Sequence, residues 1–148
     1  MKKFLFLLSA VILCFASCSK NNTSQKLSEL IVGEWRYESQ SLNGTLEEFE
    51  DDCRGKDGLD YLVFRNDMSF QLMDFDLNGG TDCTIEENTP ANGSWSISEA
   101  TLTISTDLNE AFDAEILVLN LTTLQYNIKV DFDGDTVQDD LVLIFKKQ

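Results

Sequence analysis

Gly93-Ser94-Trp95-Ser96-Ile97, followed after Ser98-Glu99-Ala100 by Thr101-Leu102-Thr103-Ile104, is the stretch that decides the fold. Its large apolar residues fall on alternate positions, Trp95 with Ile97 and then Leu102 with Ile104. A period of two marks strands with one buried face. Two such runs around a short polar turn read as an antiparallel hairpin.

The alternation recurs on both sides. Downstream, Glu115 to Leu119 forms a further strand, and Thr122 to Val130 is expected to pair with Leu141 to Phe145 across the Asp-rich turn 131–140. Upstream, Tyr61 to Phe64 and Ser69 to Phe75 flank the Asn66-Asp67 turn, with Phe70, Leu72 and Asp74 on one side. After Gly33, Trp35, Tyr37 and Ser39 alternate with Glu34, Arg36 and Glu38, giving the first strand. Lys26 to Val32 carries Leu27, Leu30 and Ile31 at helical spacing behind Thr23 and Ser24, which predicts a short helix. Two long connections, 41–60 and 76–92, hold the turn pairs Asn43-Gly44 and Asn78-Gly79 together with many acids. About eight short antiparallel strands at hairpin spacing need their edges protected, and sequential hairpins favour an up-and-down barrel. A barrel of that size is about the smallest that still holds one ligand.

These residues carry a family resemblance. Gly33-Glu34-Trp35 resembles the G-x-W signature of lipocalins. Gly93-Ser94-Trp95-Ser96-Ile97 with Thr101 to Ile104 resembles the second half of the lipocalin-like domain of Gram-negative surface lipoproteins, and Tyr61 to Phe70 between two cysteines fits the same pattern. The resemblance implies an all-β, eight-stranded antiparallel lipocalin-like barrel over 27–148, outside the cytoplasm, with a small apolar molecule as ligand. It makes Gly33, Trp35, Gly93 and Trp95 fold residues, the tryptophans plugging the core, and it supplies no catalytic group.

At the N-terminus, Lys2 and Lys3 precede a nearly unbroken apolar run from Phe4 to Phe15. That is the plan of a signal peptide, and it is shorter than the ~20 apolar residues a membrane span needs. Phe15-Ala16-Ser17-Cys18 resembles the lipobox of bacterial lipoproteins. The resemblance implies removal of 1–17 and fatty acylation of Cys18, with palmitate-type chains anchoring the protein to a membrane and 18–26 acting as a tether. Ser19, where an aspartate would mark inner-membrane retention in some bacteria, points the expectation to the outer membrane.

Charge and cysteine content narrow the function further. The chain carries −15 at pH 7, and loss of Lys2 and Lys3 takes this to −17. Such a surface repels phosphate backbones, so nucleic acid is excluded as a partner, and membrane attachment must come from acyl chains. With Cys14 in the signal segment and Cys18 lipidated, Cys53 and Cys83 remain, and an exported compartment favours a disulfide between them. There is no histidine to complete a metal site on that pair, nor to build a Ser-His-Asp triad or a Cys-His couple. The expectation is a protein without catalytic residues. Carboxylates paired across a cleft would be the route to a hydrolase, but the acids cluster beside turn residues, where solvation explains them.

Two acidic stretches have the spacing of a calcium loop. Asp74, Asp76, Asn78, Gly79 and Asp82 follow the alternate-oxygen pattern with a glycine bend that a hard cation requires, with Ile85 at the closing position where a glutamate belongs. Asp131, Asp133 and Asp135 form the second stretch. Asp135-Thr136-Val137 also resembles the short acceptor of bacterial periplasmic O-glycosylation. The functional expectation is a ligand-binding barrel, with a filled-barrel accessory protein acting through a protein partner as the alternative.

Overall fold

The segment Ala91–Ser98 buries Ala91 and Trp95 and exposes Asn92, Ser94, Ser96 and Ser98, the alternation expected of a sheet wetted on one face. Its partner Thr101–Thr106 buries Leu102 and Ile104 in the same way. A computed structural model describes residues 20–47, 53, 59–77, 82–85, 89, 91–107 and 111–148, with 20–25 as helical backbone alone. The expected signal segment 1–17, the expected lipidation site Cys18, and Asn78 lie outside the described residues.

The order is α1 (Lys20–Ile31), β1 (Gly33–Leu42), β2 (Thr45–Glu47), β3 (Tyr61–Phe64), β4 (Ser69–Met73), β5 (Phe75–Asp76), β6 (Thr84–Ile85), β7 (Ala91–Ser98), β8 (Thr101–Thr106), β9 (Ala111–Leu119), β10 (Thr123–Val130) and β11 (Asp139–Lys147). Each of β3, β4, β7, β8, β9, β10 and β11 pairs antiparallel with the next, and β1 pairs with both β3 and β11. The result is a closed eight-stranded antiparallel barrel. The expected strands are the barrel strands. β2 continues the β1 edge beyond β3, and β5 and β6 form a separate ladder at one end.

The expected loop 41–60 contains the end of β1 and all of β2, β11 is longer than the expected Leu141 to Phe145, and four further departures shape the barrel. The helix begins at Lys20, so residues 20–25 of the expected tether are helical. Once a turn has nucleated, each added polar residue gains a hydrogen bond for one residue fixed. β9 starts at Ala111 rather than Glu115, because pairing with β8 runs out to Ser105–Ala111. The expected strand from Ser69 to Phe75 breaks at Asp74, where the chain leaves the wall for the β5–β6 ladder. Finally, the expected inward face of β1 holds for Trp35 and Tyr37 but not for Ser39. A bulge between Tyr37 and Ser39 shifts the register, and Gln40 takes the inward place: the Tyr37 hydroxyl donates to Gln40 Oε1 at 2.7 Å.

The core is built from the inward residues. Trp35, Phe64, Leu102, Ile104 and Leu124 are sealed from solvent, with Phe70, Trp95 and Phe145 around them. Phe64 meets Trp95 edge-on at 5.7 Å, a geometry that suits the quadrupoles of both rings. Gly93 faces this interior where the β8 backbone passes closest, and a Cβ there would run into the carbonyl oxygen of Ser105. Backbone cannot yield as a flexible side chain does. Gly93→Ala is therefore expected to destabilise the barrel by about 1–3 kcal/mol, read as a lowered urea midpoint at unchanged slope.

Candidate functional site

One end of the barrel is shut by α1. The last carbonyls of a helix lack partners within it, and here two side chains supply them. Trp35 Nε1 donates to the Ile31 carbonyl at 2.6 Å, and Lys147 Nζ donates to the Leu30 carbonyl at 2.8 Å. The same ammonium lies 4.9 Å from the centre of the Trp35 ring, and burial pushes its pKa down from the ordinary lysine value. Gly33 is required by its backbone, whose φ of +139° L side chains rarely adopt, and the Lys147 side chain lies in the space a Cβ would enter. On the other side, Trp95 Nε1 donates to the Arg65 carbonyl at 3.2 Å.

At the opposite end lie the β1–β2 turn, the β4–β7 and β8–β9 connections, and the loop 131–138. Several inward residues there are only partly covered. Leu72, Phe112, Ile128 and Leu143 pack on the core from above without being sealed. Beneath them Tyr37, Phe145 and Tyr126 make an aromatic floor. Tyr37 meets Phe145 edge-on at 5.1 Å, and Tyr126 stacks on Phe145 at 5.4 Å. Cross-strand pairing places Leu143 between Tyr126 and Gln40. Polar groups share this half of the interior. Asp60 is 3% exposed; its Oδ1 accepts the Phe75 amide at 2.8 Å, and its carbonyl accepts the Tyr37 amide at 3.0 Å. Asp74 is half-buried on the side of β4 that carries Phe70 and Leu72. Burial, then the neighbouring Tyr37 and Asp74, raises the pKa of the Tyr126 hydroxyl far above its usual value.

The rim around this opening is acidic. Glu47, Asp76, Asp82, Asp107, Asp131, Asp133, Asp135, Asp139 and Asp140 all lie at this end. Lys129 is its basic residue among the described ones. It pairs with Asp140, whose carboxyl is held below the ordinary range by hydrogen bonds from Lys129 and Asn127. The disulfide joins Cys53 to Cys83 as expected, with a Cα–Cα distance of 5.6 Å, and ties together the two long connections of this end.

The two acidic stretches fare differently. In the first, Asp76 sits in the β5–β6 ladder opposite Thr84 while Asp82 is exposed, and the described members are not brought together. An extended chain carries alternate residues about 6–7 Å apart rather than wrapping them around a point. In the second, the carboxylates of Asp131, Asp133 and Asp135 each offer an oxygen within 4.8 Å of the others, all exposed. They also close their own turn: Asp131 accepts the Gly134 and Thr136 amides, Asp133 that of Asp135, and Asp135 that of Val137. Thr136 is exposed at the tip of this turn, with φ at +73°.

Sequence reasoning identified the two tryptophans, both glycines and the cysteine pair. It missed Gln40, because a bulge reverses the facing of every residue beyond it. It missed Asp60 as a buried carboxylate and Lys147 as the group that secures the helix. Tyr126 was within reach, since it alternates with Leu124 and Ile128 on a strand.

A barrel sealed by a helix at one end and lined with half-covered apolar side chains at the other is a calyx. The chain belongs to the lipocalin-like domain family, whose sequence profile matches residues 31–126. Among solved structures it is similar to the bovine lipocalin allergen Bos d 2, at 16% identity over 82% of this chain and 75% of that chain, with a TM-score of 0.46. No curated protein matches the sequence.

The buried floor gives a pH signature. Above about pH 10, the ordinary tyrosine pKa, an unfolded chain ionises this phenol while the folded barrel keeps Tyr126 neutral. Its contribution to stability is therefore whole below pH 10 and is lost as pH rises through the alkaline range. Absorbance at about 295 nm, which reports phenolate, is expected to show the same transition up to about pH 11 in Tyr126→Phe as in the parent protein, and a larger phenolate signal from Tyr126 in the folded parent over that range overturns it.

Proposed function

We propose that this chain is a lipid-anchored lipoprotein of a Gram-negative cell envelope, held in the outer membrane through acylated Cys18, whose barrel carries a small apolar molecule. The observation behind the binding role is the inward apolar surface left partly covered at the end opposite α1. Leu124 and Phe145 are covered, while Ile128 and Leu143, further along the same strands, pack on the core without being covered. Apolar surface turned inward and left partly open is what an apolar ligand buries, at roughly 25 cal/mol per Å². The role is binding rather than catalysis: the chain has no histidine, and Asp60 is engaged by a backbone amide.

Residues 19–148, with the disulfide intact, are expected to carry an added mass in native spectra or to take up the neutral probe N-phenyl-1-naphthylamine with enhanced fluorescence. Leu143→Trp, which fills the opening, is expected to cut probe uptake by about tenfold or more at unchanged far-ultraviolet dichroism. Spectra recorded in calcium buffer and after chelation read the Asp131–Asp135 turn at the same time. A bare mass with no probe uptake favours the second reading, a filled barrel working through a protein partner. That reading draws on exposed Leu117, Val118 and Leu121 around the β9–β10 turn.

The anchor has its own test. Full-length protein expressed in a Gram-negative host is expected to have lost residues 1–17 and gained the mass of two or three acyl chains, with Cys18→Ala lacking both changes. An unmodified Cys18 overturns it.

A further inference from the structure

Resting on the reading of Cys18 as an acylated anchor, we propose that the barrel stands on the bilayer with its helix-closed end against the phospholipid headgroups and its opening turned away. The link between anchor and helix gives the first argument. Cys18 precedes by two residues the start of α1 at Lys20, which allows at most about 7 Å of chain between them. At its other end α1 runs into the start of β1, and it packs against β7 and β9, which flank β8, the strand opposite β1 in the ring. The helix therefore lies across the closed end, and both of its termini belong to that face. A tether over 18–26 would let either end of the barrel reach the membrane; helix formation from Lys20 onward removes that slack.

Charge separates the two ends. At the closed end both signs are present, with Lys26, Arg65 and Lys146 among Glu29, Asp67 and Glu99. At the open end Lys129 is the described cation of the acidic rim, and the connection between β2 and β3 adds Arg54 and Lys56 but more acids than bases. An anionic headgroup layer repels that rim. β10 spans eight residues between the two ends, roughly 20 Å of barrel height once strand tilt is allowed for. Standing on the closed end carries the rim beyond a Debye length of about 8–10 Å, whereas standing on the open end presses it into the headgroups.

Exposed apolar residues occur at both ends, and their neighbours tell them apart. Leu121, 74% exposed, tips the β9–β10 turn between Asn120 and Thr122, with Leu117 and Val118 just before it. Met68 tips the β3–β4 turn, where Arg65 offsets Asp67, and lines a groove against α1 with Val32 and Trp95. At the open end Phe132 and Val137 are exposed too. Phe132 stands between Asp131 and Asp133, and the Val137 amide is held by the Asp135 carboxylate. Seating Phe132 among headgroups would drag those carboxylates into an anionic layer, a cost Leu121 does not meet. In the proposed posture a ligand enters the barrel from water rather than out of the bilayer.

The test uses the full-length chain expressed in a Gram-negative host, its acylation checked by mass, and reconstituted in vesicles of phosphatidylethanolamine and phosphatidylglycerol. A nitroxide is attached through Leu121→Cys at the closed end or Phe132→Cys at the open end, and its collisions with oxygen and with a water-soluble nickel chelate are compared. The ratio of oxygen to nickel collisions is expected to be about threefold or more higher at position 121 than at 132, as for a group seated at the boundary of headgroups and acyl chains. Met68→Cys takes the place of Leu121→Cys if that variant misfolds. Equal, water-like ratios at both ends, or the higher ratio at 132, overturn the inference, and an acylated mass then leaves the anchor standing. A label at 121 shielded from both reagents also overturns it and gives the patch to a protein partner. An unacylated Cys18 removes the anchor reading and the inference with it.

Discussion

The pairing of the first barrel strand with the last is the constraint on which the rest depends. β1 and β11 share hydrogen bonds from Trp35–Lys147 to Leu42–Leu141, and this seam closes what would otherwise be an open sheet with two exposed edges. Closure forces one face of every strand into a common interior. That interior must be filled, sealed or given to a ligand, and the chain does each at a different depth. Phe64, Trp95, Leu102 and Leu124 fill the lower part, α1 seals the end below them, and the upper part stays partly open.

The seam also sets where the open part begins. Beyond the bulge at Glu38, β1 presents Gln40 and then Leu42 to the interior, opposite Leu143 and Leu141. Side chains larger than glutamine at that level would deepen the plug. With Gln40 there, the Tyr37 hydroxyl is satisfied by a neighbour on its own strand, and the aromatic layer ends in polar groups facing the opening. The acidic connections stand around the same end, drawn in by the disulfide between Cys53 and Cys83. Electrostatics and packing thus divide the molecule along its axis, with apolar contacts and capped helix carbonyls at one end and carboxylates at the other.

Most of the fold was legible because the signal is local. Trp95 with Ile97, and Leu102 with Ile104, declare their faces within a few residues, and the turns between strands have the Asn, Asp and Gly that tight reversals favour. The site was less legible, since it is made by long-range events. Nothing near Glu38 announces a bulge, which exists only against its partner strand. Lys147 reaches the Leu30 carbonyl across 117 residues of sequence, and no local pattern records that. The acids misled in a different way: alternate aspartates at 74–82 and at 131–135 look alike as strings, but one enters a ladder and the other a tight turn.

The seam between β1 and β11 also governs when the molecule is able to form. A ribosome delivers β1 more than a hundred residues before the strand that completes its pairing, and Lys147, which fastens the helix, lies on that same late strand. Hairpins between neighbouring strands can form and dissolve as the chain grows, but the barrel has no stable intermediate circumference, because seven strands without the eighth leave two edges and an unroofed core. Closure of the barrel therefore waits until β11 has been made. A chain released before Asp139 keeps its hydrophobic strands unpaired, so a truncated product is exposed to proteolysis and aggregation while the full-length one is shielded.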